Sequence, residues 1–131
     1  RFVRTTMGYP TNYGFVPNTF SGDGDPVDVL VLCSQPLYPG TVVNVTPVGL
    51  LEMEDESGID AKILAVPPEK SDPFWGAITD IDGVPQPVKE QIKHFFEHYK
   101  ELEKGKWVKV KSFLPRSAAV KEIMDGIKNR S

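Results

Sequence analysis

An α+β fold that is mainly β, a small five-stranded barrel with two flanking helices, is predicted by three features of the sequence. Twelve prolines and eleven glycines among 131 residues punctuate the chain, against a usual proline share of about 5%. Between the punctuation lie short runs rich in Val, Leu, Ile and Thr, of strand length. Toward the C-terminus two stretches carry apolar residues at helical spacing instead.

Taken in order, strands are predicted near 12–17, 27–33, 41–53, 59–66 and 106–113. The first follows a Pro-containing turn, and Tyr9 and Tyr13 beside that turn could pack over the barrel mouth. The second is the apolar run Val29-Leu30-Val31-Leu32-Cys33, whose composition suits a buried strand. The third and fourth flank Glu54-Asp55-Glu56-Ser57-Gly58, which reads as a hairpin connection. Residues 67–87 read mostly as loop, with Asp80-Ile81-Asp82-Gly83 a turn before a helix. That helix should run from Val88 to Glu103, with Val88, Ile92, Phe95, Tyr99 and Leu102 as its stripe and Gly105 ending it. A second helix is predicted after Ser117 as N-cap, placing Val120, Ile123, Met124 and Ile127 on one face. Such a set suits a small closed barrel of the OB type.

Length bounds this to a single domain over 1–131, large enough to bury about two thirds of its unfolded surface. A net charge of −3 and an isoelectric point near 5.4 argue against nonspecific nucleic-acid or membrane binding, since both need a basic surface. The single Cys33 lies within the second apolar run and cannot form an internal disulfide. With no signal peptide and no 18-residue apolar stretch, a reducing cytoplasm is the expected compartment.

The segment Asp23-Gly24-Asp25-Pro26-Val27-Asp28 carries the most chemical information. Three carboxylates in a turn repel one another unless something cationic sits among them, and hard oxygen ligands favour Mg²⁺, Mn²⁺ or Ca²⁺. Asp, Gly and Pro are also ordinary turn residues, so the segment alone leaves a solvated surface loop as the alternative. An EF-hand is excluded, because Val27, Asp28 and Ser34 stand where that loop wants a side-chain oxygen, Gly and Glu.

A second acidic group lies at the hairpin. Alternation along the returning strand puts Asp60 and Lys62 on one face with Leu64, and Ile59, Ala61, Ile63 and Ala65 on the other. Two residues of rise separate the acid from the base by about 6.5–7 Å, a workable spacing for a cation beside a phosphate oxygen. Taken alone, the pair reads as a solvent-exposed ion pair worth less than about 1 kcal/mol. Asp55 alone reads as a turn residue.

Jointly these pieces resemble the soluble family I inorganic pyrophosphatases of the bacterial branch, whose hallmark Asp-x-Asp-Pro-x-Asp occurs as Asp23 to Asp28. Further matching stretches are Tyr9-Pro10-Thr11-Asn12-Tyr13-Gly14, the run from Asp55 to Lys62, and His94 to Lys100 continuing through Gly105-Lys106-Trp107. The similarity extends from Arg1 to about Val110. The family's fold is likewise an OB-type barrel. Members are longer, so the resemblance implies that this chain lacks an N-terminal segment carrying barrel strands plus a glutamate and a lysine of the site.

Carried over, the resemblance assigns Asp23, Asp28, Asp55 and Asp60 to divalent cations and makes Asp25 the acceptor of the attacking water's proton. Arg1, Tyr13, Lys62, Tyr99 and Lys100 would hold the phosphoryl groups, and Tyr9 would line the pocket. It implies hydrolysis of pyrophosphate to two orthophosphates, Mg²⁺ or alternatively Mn²⁺ as cofactor, and a homo-oligomer, commonly a hexamer. The alternatives are a catalytically impaired fragment that binds metal and oligomerises, or an OB-type nucleic-acid-binding module, which the acid count disfavours. Pyrophosphate carries three to four negative charges near neutrality, so a pocket of carboxylates accepts it only with cations present. No Gly-x-x-x-x-Gly-Lys-Ser/Thr loop occurs, against nucleotide-driven chemistry.

His94-Phe95-Phe96-Glu97-His98 formally fits the His-x-x-Glu-His pattern of a zinc peptidase group. These are the only two histidines of the chain, so a third zinc ligand would have to be a carboxylate. A subunit contact is the expectation for the pair instead.

Overall fold

The computed structural model describes residues 12–19, 25–38, 40–98 and 105–129. Strands β1 (Asn12–Val16), β2 (Val27–Val31), β3 (Thr46–Asp55), β4 (Gly58–Val66) and β5 (Val108–Pro115) form one mixed sheet, ordered β1-β2-β4-β3-β5. Helices are α1 (Pro73–Gly76), α2 (Gln86–His98) and α3 (Arg116–Asn129), with a 3₁₀ turn at Ile81–Gly83.

Five strands and two long helices match the sequence expectation, but among the described residues the sheet is open. β1 and β5 are its two edges, rather than the paired seam of a closed barrel. The third strand begins at Thr46, not at residue 41, and Val42 is 92% exposed. Cys33 lies just beyond β2, its Sγ accepting from Asn12 Nδ2 at 3.1 Å and donating to the Gln35 carbonyl at 3.0 Å. Burial pushes its pKa up.

Period-2 alternation gives the sheet two apolar faces. On one, Leu30, Leu51, Met53 and Leu64 pack with Ile92, Phe95 and Phe96 of α2. On the other, Val27, Val29, Val31, Leu50, Ile63 and Ala65 meet Ala119 of α3. Strands buried on both sides explain the near-continuous apolar runs in the sequence. The β3–β4 hairpin turns through Glu56-Ser57, where Asp55 Oδ1 accepts the Ser57 amide at 2.8 Å and Gly58 takes φ +120°.

Pro87 sits in the first turn of α2, where a missing amide hydrogen costs nothing. The helix starts two residues before Val88, and the rest of the stretch expected to be helical, from Tyr99 to Glu103, lies outside the described residues. The stretch 67–87 is more ordered than a loop. Asp72 caps α1 through Trp75 N, and its carboxylate also accepts from Ser34 N at 2.7 Å and Ser34 Oγ at 3.1 Å.

Helix α3 departs from expectation twice. It starts at Arg116, directly after Pro115 ends β5, so Ser117 is not its cap. Asp80 Oδ1 accepts the Arg116 amide at 2.9 Å while also accepting Ile81 N at 2.7 Å, a cap supplied from 36 residues away. The face toward the sheet is Ala118, Ala119, Ile123 and Gly126. Val120, Met124 and Ile127 are 39%, 54% and 36% exposed. Small residues let the helix sit close to the strands, an advantage that side-chain hydrophobicity alone does not rank.

Candidate active site

Register builds the site. In the parallel β2–β4 pair Asp28 stands opposite Lys62, and in the antiparallel β1–β2 pair Tyr13 stands opposite Leu30. Asp60 lies two residues before Lys62 on β4. Alternation therefore directs Tyr13, Asp28, Asp60 and Lys62 to the face that continues through Leu30 and Leu64 into the α2 core.

At the centre is the Lys62 ammonium. Its Nζ lies 2.7 Å from Asp28 Oδ2 and 3.1 Å from Asp60 Oδ2, and it donates to the Tyr13 hydroxyl at 2.8 Å. Lys62 is only 5% exposed, whereas the Asp28 and Asp60 side chains keep 27% and 22% of their surface open. The solvent-exposed pair that the spacing alone suggested is thus a buried cation between carboxylates from two strands. Burial by itself would lower the lysine pKa, but Tyr13, Asp60 and Asp28 outweigh it and hold the ammonium well above its ordinary range. Burial raises the Tyr13 pKa, against the opposing pull of Lys62. Near neutrality the site therefore presents a charged ammonium and a neutral phenol.

The remaining sequence candidates are distributed as follows. Asp25 is exposed in the bend leading into β2. Asp55 lies on the same face by alternation, at the end of β3, with one oxygen engaged by the hairpin turn. Arg1, Tyr9, Asp23, Tyr99 and Lys100 lie outside the described residues. Among the described residues no three acidic, histidine or cysteine side chains converge closely enough to cage a metal ion. The His94 and His98 rings lie 4.4 Å apart on α2, as i,i+4 spacing requires.

One side chain near the site escaped the sequence reading. Thr19 is 2% exposed and bonds both ends of the β1–β2 connection. Its signal was faint, a hydroxyl residue just after the Pro17-Asn18 turn, where Asn18 adopts φ +60°.

The family model for inorganic pyrophosphatase matches residues 1–131. The chain is 55% identical over 129 residues to an inorganic pyrophosphatase of Aquifex pyrophilus, covering 98% of this chain and 73% of that protein. It is 52% identical over 124 residues to one from Aeropyrum pernix, covering 95% and 70%. Among solved structures, an inorganic pyrophosphatase of Helicobacter pylori superposes with a TM-score of 0.94 at 48% identity, covering 99% of this chain and 76% of that one. One from Thermus thermophilus gives 0.92 at 50% identity, covering 99% and 75%. With a matching sequence along its whole length and a matching fold, this chain belongs to the inorganic pyrophosphatase family.

Proposed function

We propose that this chain hydrolyses inorganic pyrophosphate to two orthophosphates by in-line attack of water. The observation that carries the reading is the buried Lys62 ammonium, held by Asp28, Asp60 and Tyr13 on one face of the sheet in a member of this family.

The donor set fits a hard divalent cation. Asp28 and Asp60 offer carboxylate oxygens that are partly open to solvent, and Mg²⁺ is usually bound by one or two carboxylates plus substrate phosphates and waters. We assign Asp23, Asp28, Asp55 and Asp60 to cation binding, with Mg²⁺ the expected ion and Mn²⁺ an acceptable one. Bound cations would offset the charge of the substrate and acidify the attacking water.

The chain's own groups do the rest. Asp25, exposed in the bend three residues before Asp28, takes the proton of the attacking water as general base. Lys62, whose ammonium Asp28, Asp60 and Tyr13 hold in this structure, would turn to the outer phosphoryl oxygens as those two carboxylates take a cation, and the Tyr13 hydroxyl, kept neutral, would donate to them. Arg1, Tyr9, Tyr99 and Lys100 complete the phosphate pocket in this reading. As the bridging P–O bond breaks, its electron pair leaves with the second phosphate, and pre-aimed cationic and hydroxyl donors stabilise that charge. A homo-oligomer, a hexamer, is the assembly we expect, working in the cytoplasm; among the described residues no helix is long and apolar enough to cross a membrane.

Phosphate release from pyrophosphate across a Mg²⁺ titration tests the function. Mg²⁺-dependent release of two phosphates per pyrophosphate is expected, and its absence at every Mg²⁺ concentration would overturn the proposal. Sedimentation velocity tests the assembly, and a monomer at micromolar concentration would refute it.

A further inference from the structure

We infer that Thr19 is a positioning residue for the reaction, its hydroxyl clasping the start of β2 and so setting where Asp25 and Asp28 stand. Val16 and Val27 form the terminal rung of the β1–β2 pair. Thr19 threads its hydroxyl between their backbone groups: Oγ1 donates to the Val16 carbonyl at 2.6 Å and accepts the Val27 amide at 3.1 Å. Thr19 is 2% exposed and Val27 is fully buried, so water does not replace this bridge. The relay is a side-chain rung, and it ties Thr19, eight residues upstream, to Val27 at the start of β2.

Position makes the clasp more than a fold element. Val27 lies between Asp25, two residues before it, and Asp28, the next residue, which meets Lys62 at 2.7 Å. Pro26 has no amide hydrogen to anchor the start of β2, so the Val27 amide is the first backbone donor after Asp25 that can do so. The effect on catalysis rests on the roles proposed above for Asp25 and Asp28. Removing a group hydrogen-bonded directly to a metal ligand commonly costs about 10–100-fold in metal affinity; Thr19 acts one step further out, through the Val27 backbone, which places its effect at the lower end of that range.

Thr19→Val keeps the side-chain shape and removes both hydrogen bonds, and Thr19→Ser keeps the hydroxyl. Three measurements on the full chain decide the matter: amide exchange at Val27, calorimetric titration with Mg²⁺ alone, and kcat for pyrophosphate. Thr19→Val is expected to speed Val27 exchange at least about tenfold, to weaken Mg²⁺ binding about tenfold and to lower kcat, with Thr19→Ser restoring all three. A core variant of matched melting temperature, Ile92→Val or Ile92→Ala, should leave the Mg²⁺ titration at its wild-type value. Native Mg²⁺ binding and kcat in Thr19→Val, or an equal shift in the core variant, would overturn the inference. If the wild type binds Mg²⁺ but leaves pyrophosphate intact, the proposed function falls, and the calorimetric comparison still decides the clasp.

Discussion

Replacing Lys62 by Met removes one cation from between two carboxylates while nearly conserving volume, so the outcome measures electrostatics more than packing. Taking one partner from a fully buried ion pair costs about 3–5 kcal/mol, because the remaining charge is stranded. Here Asp28 and Asp60 keep 27% and 22% of their side-chain surface in water, so screening lowers the expected loss to about 2–3 kcal/mol. For a chain of this length each kcal/mol moves the melting temperature by about 3–5 °C, giving a fall of about 6–15 °C at pH 7. The pH dependence has a definite sign. The folded-state pKa of Lys62 is raised above its unfolded value, so its contribution is complete below the ordinary lysine value of about 10.4 and is lost as pH rises through the folded value. The stability gap between wild type and variant should therefore stay flat from pH 7 to about 10 and narrow only above that. Urea melts at pH 7, 9 and 11, with and without 1 M NaCl, are the assay. Equal stability at pH 7, or a gap abolished by salt, would refute the idea that a buried ammonium holds these strands together.

Other expectations follow from the same structure. Asp25→Asn should cut kcat by about 10²–10⁴-fold and leave the melting temperature unchanged, because Asp25 is exposed; a rate near wild type would remove it as general base. Asp72→Ala strips acceptors from Ser34 N, Ser34 Oγ and Trp75 N and should lower the melting temperature at neutral pH. Hydrogen bonds from the Ser34 backbone depress the Asp72 pKa, so its contribution is present above the ordinary carboxylate value of about 3.9 and fades as pH falls through the folded value; differential scanning calorimetry at pH 7 and pH 3 reads this directly. Phe95→Ala, at a site 2% exposed where α2 meets the sheet, should cost about 3–5 kcal/mol in urea unfolding. A loss below about 1 kcal/mol there would mean that α2 is not seated as described.

Local rules carried much of this protein. Alternation in Ile59 to Val66 placed Asp60 and Lys62 on one face, the prolines and glycines separated five strands, and apolar residues at helical spacing marked two long helices. The acidic segment and its matching stretches point to the family by themselves. Other features depend on contacts between residues far apart in the chain. The parallel register that sets Asp28 against Lys62, 34 positions away, turns an apparently exposed pair into a buried cation. The Asp80 carboxylate that caps α3 comes from a turn 36 residues upstream, so no N-cap pattern near Arg116 could reveal it. Close approach of α3 to the sheet selected Ala119 and Gly126 over the larger apolar residues beside them. Period and composition report the choices a segment makes for itself, whereas burial, charge neutralisation and capping by distant groups arise only when chain closure brings separate segments into one place.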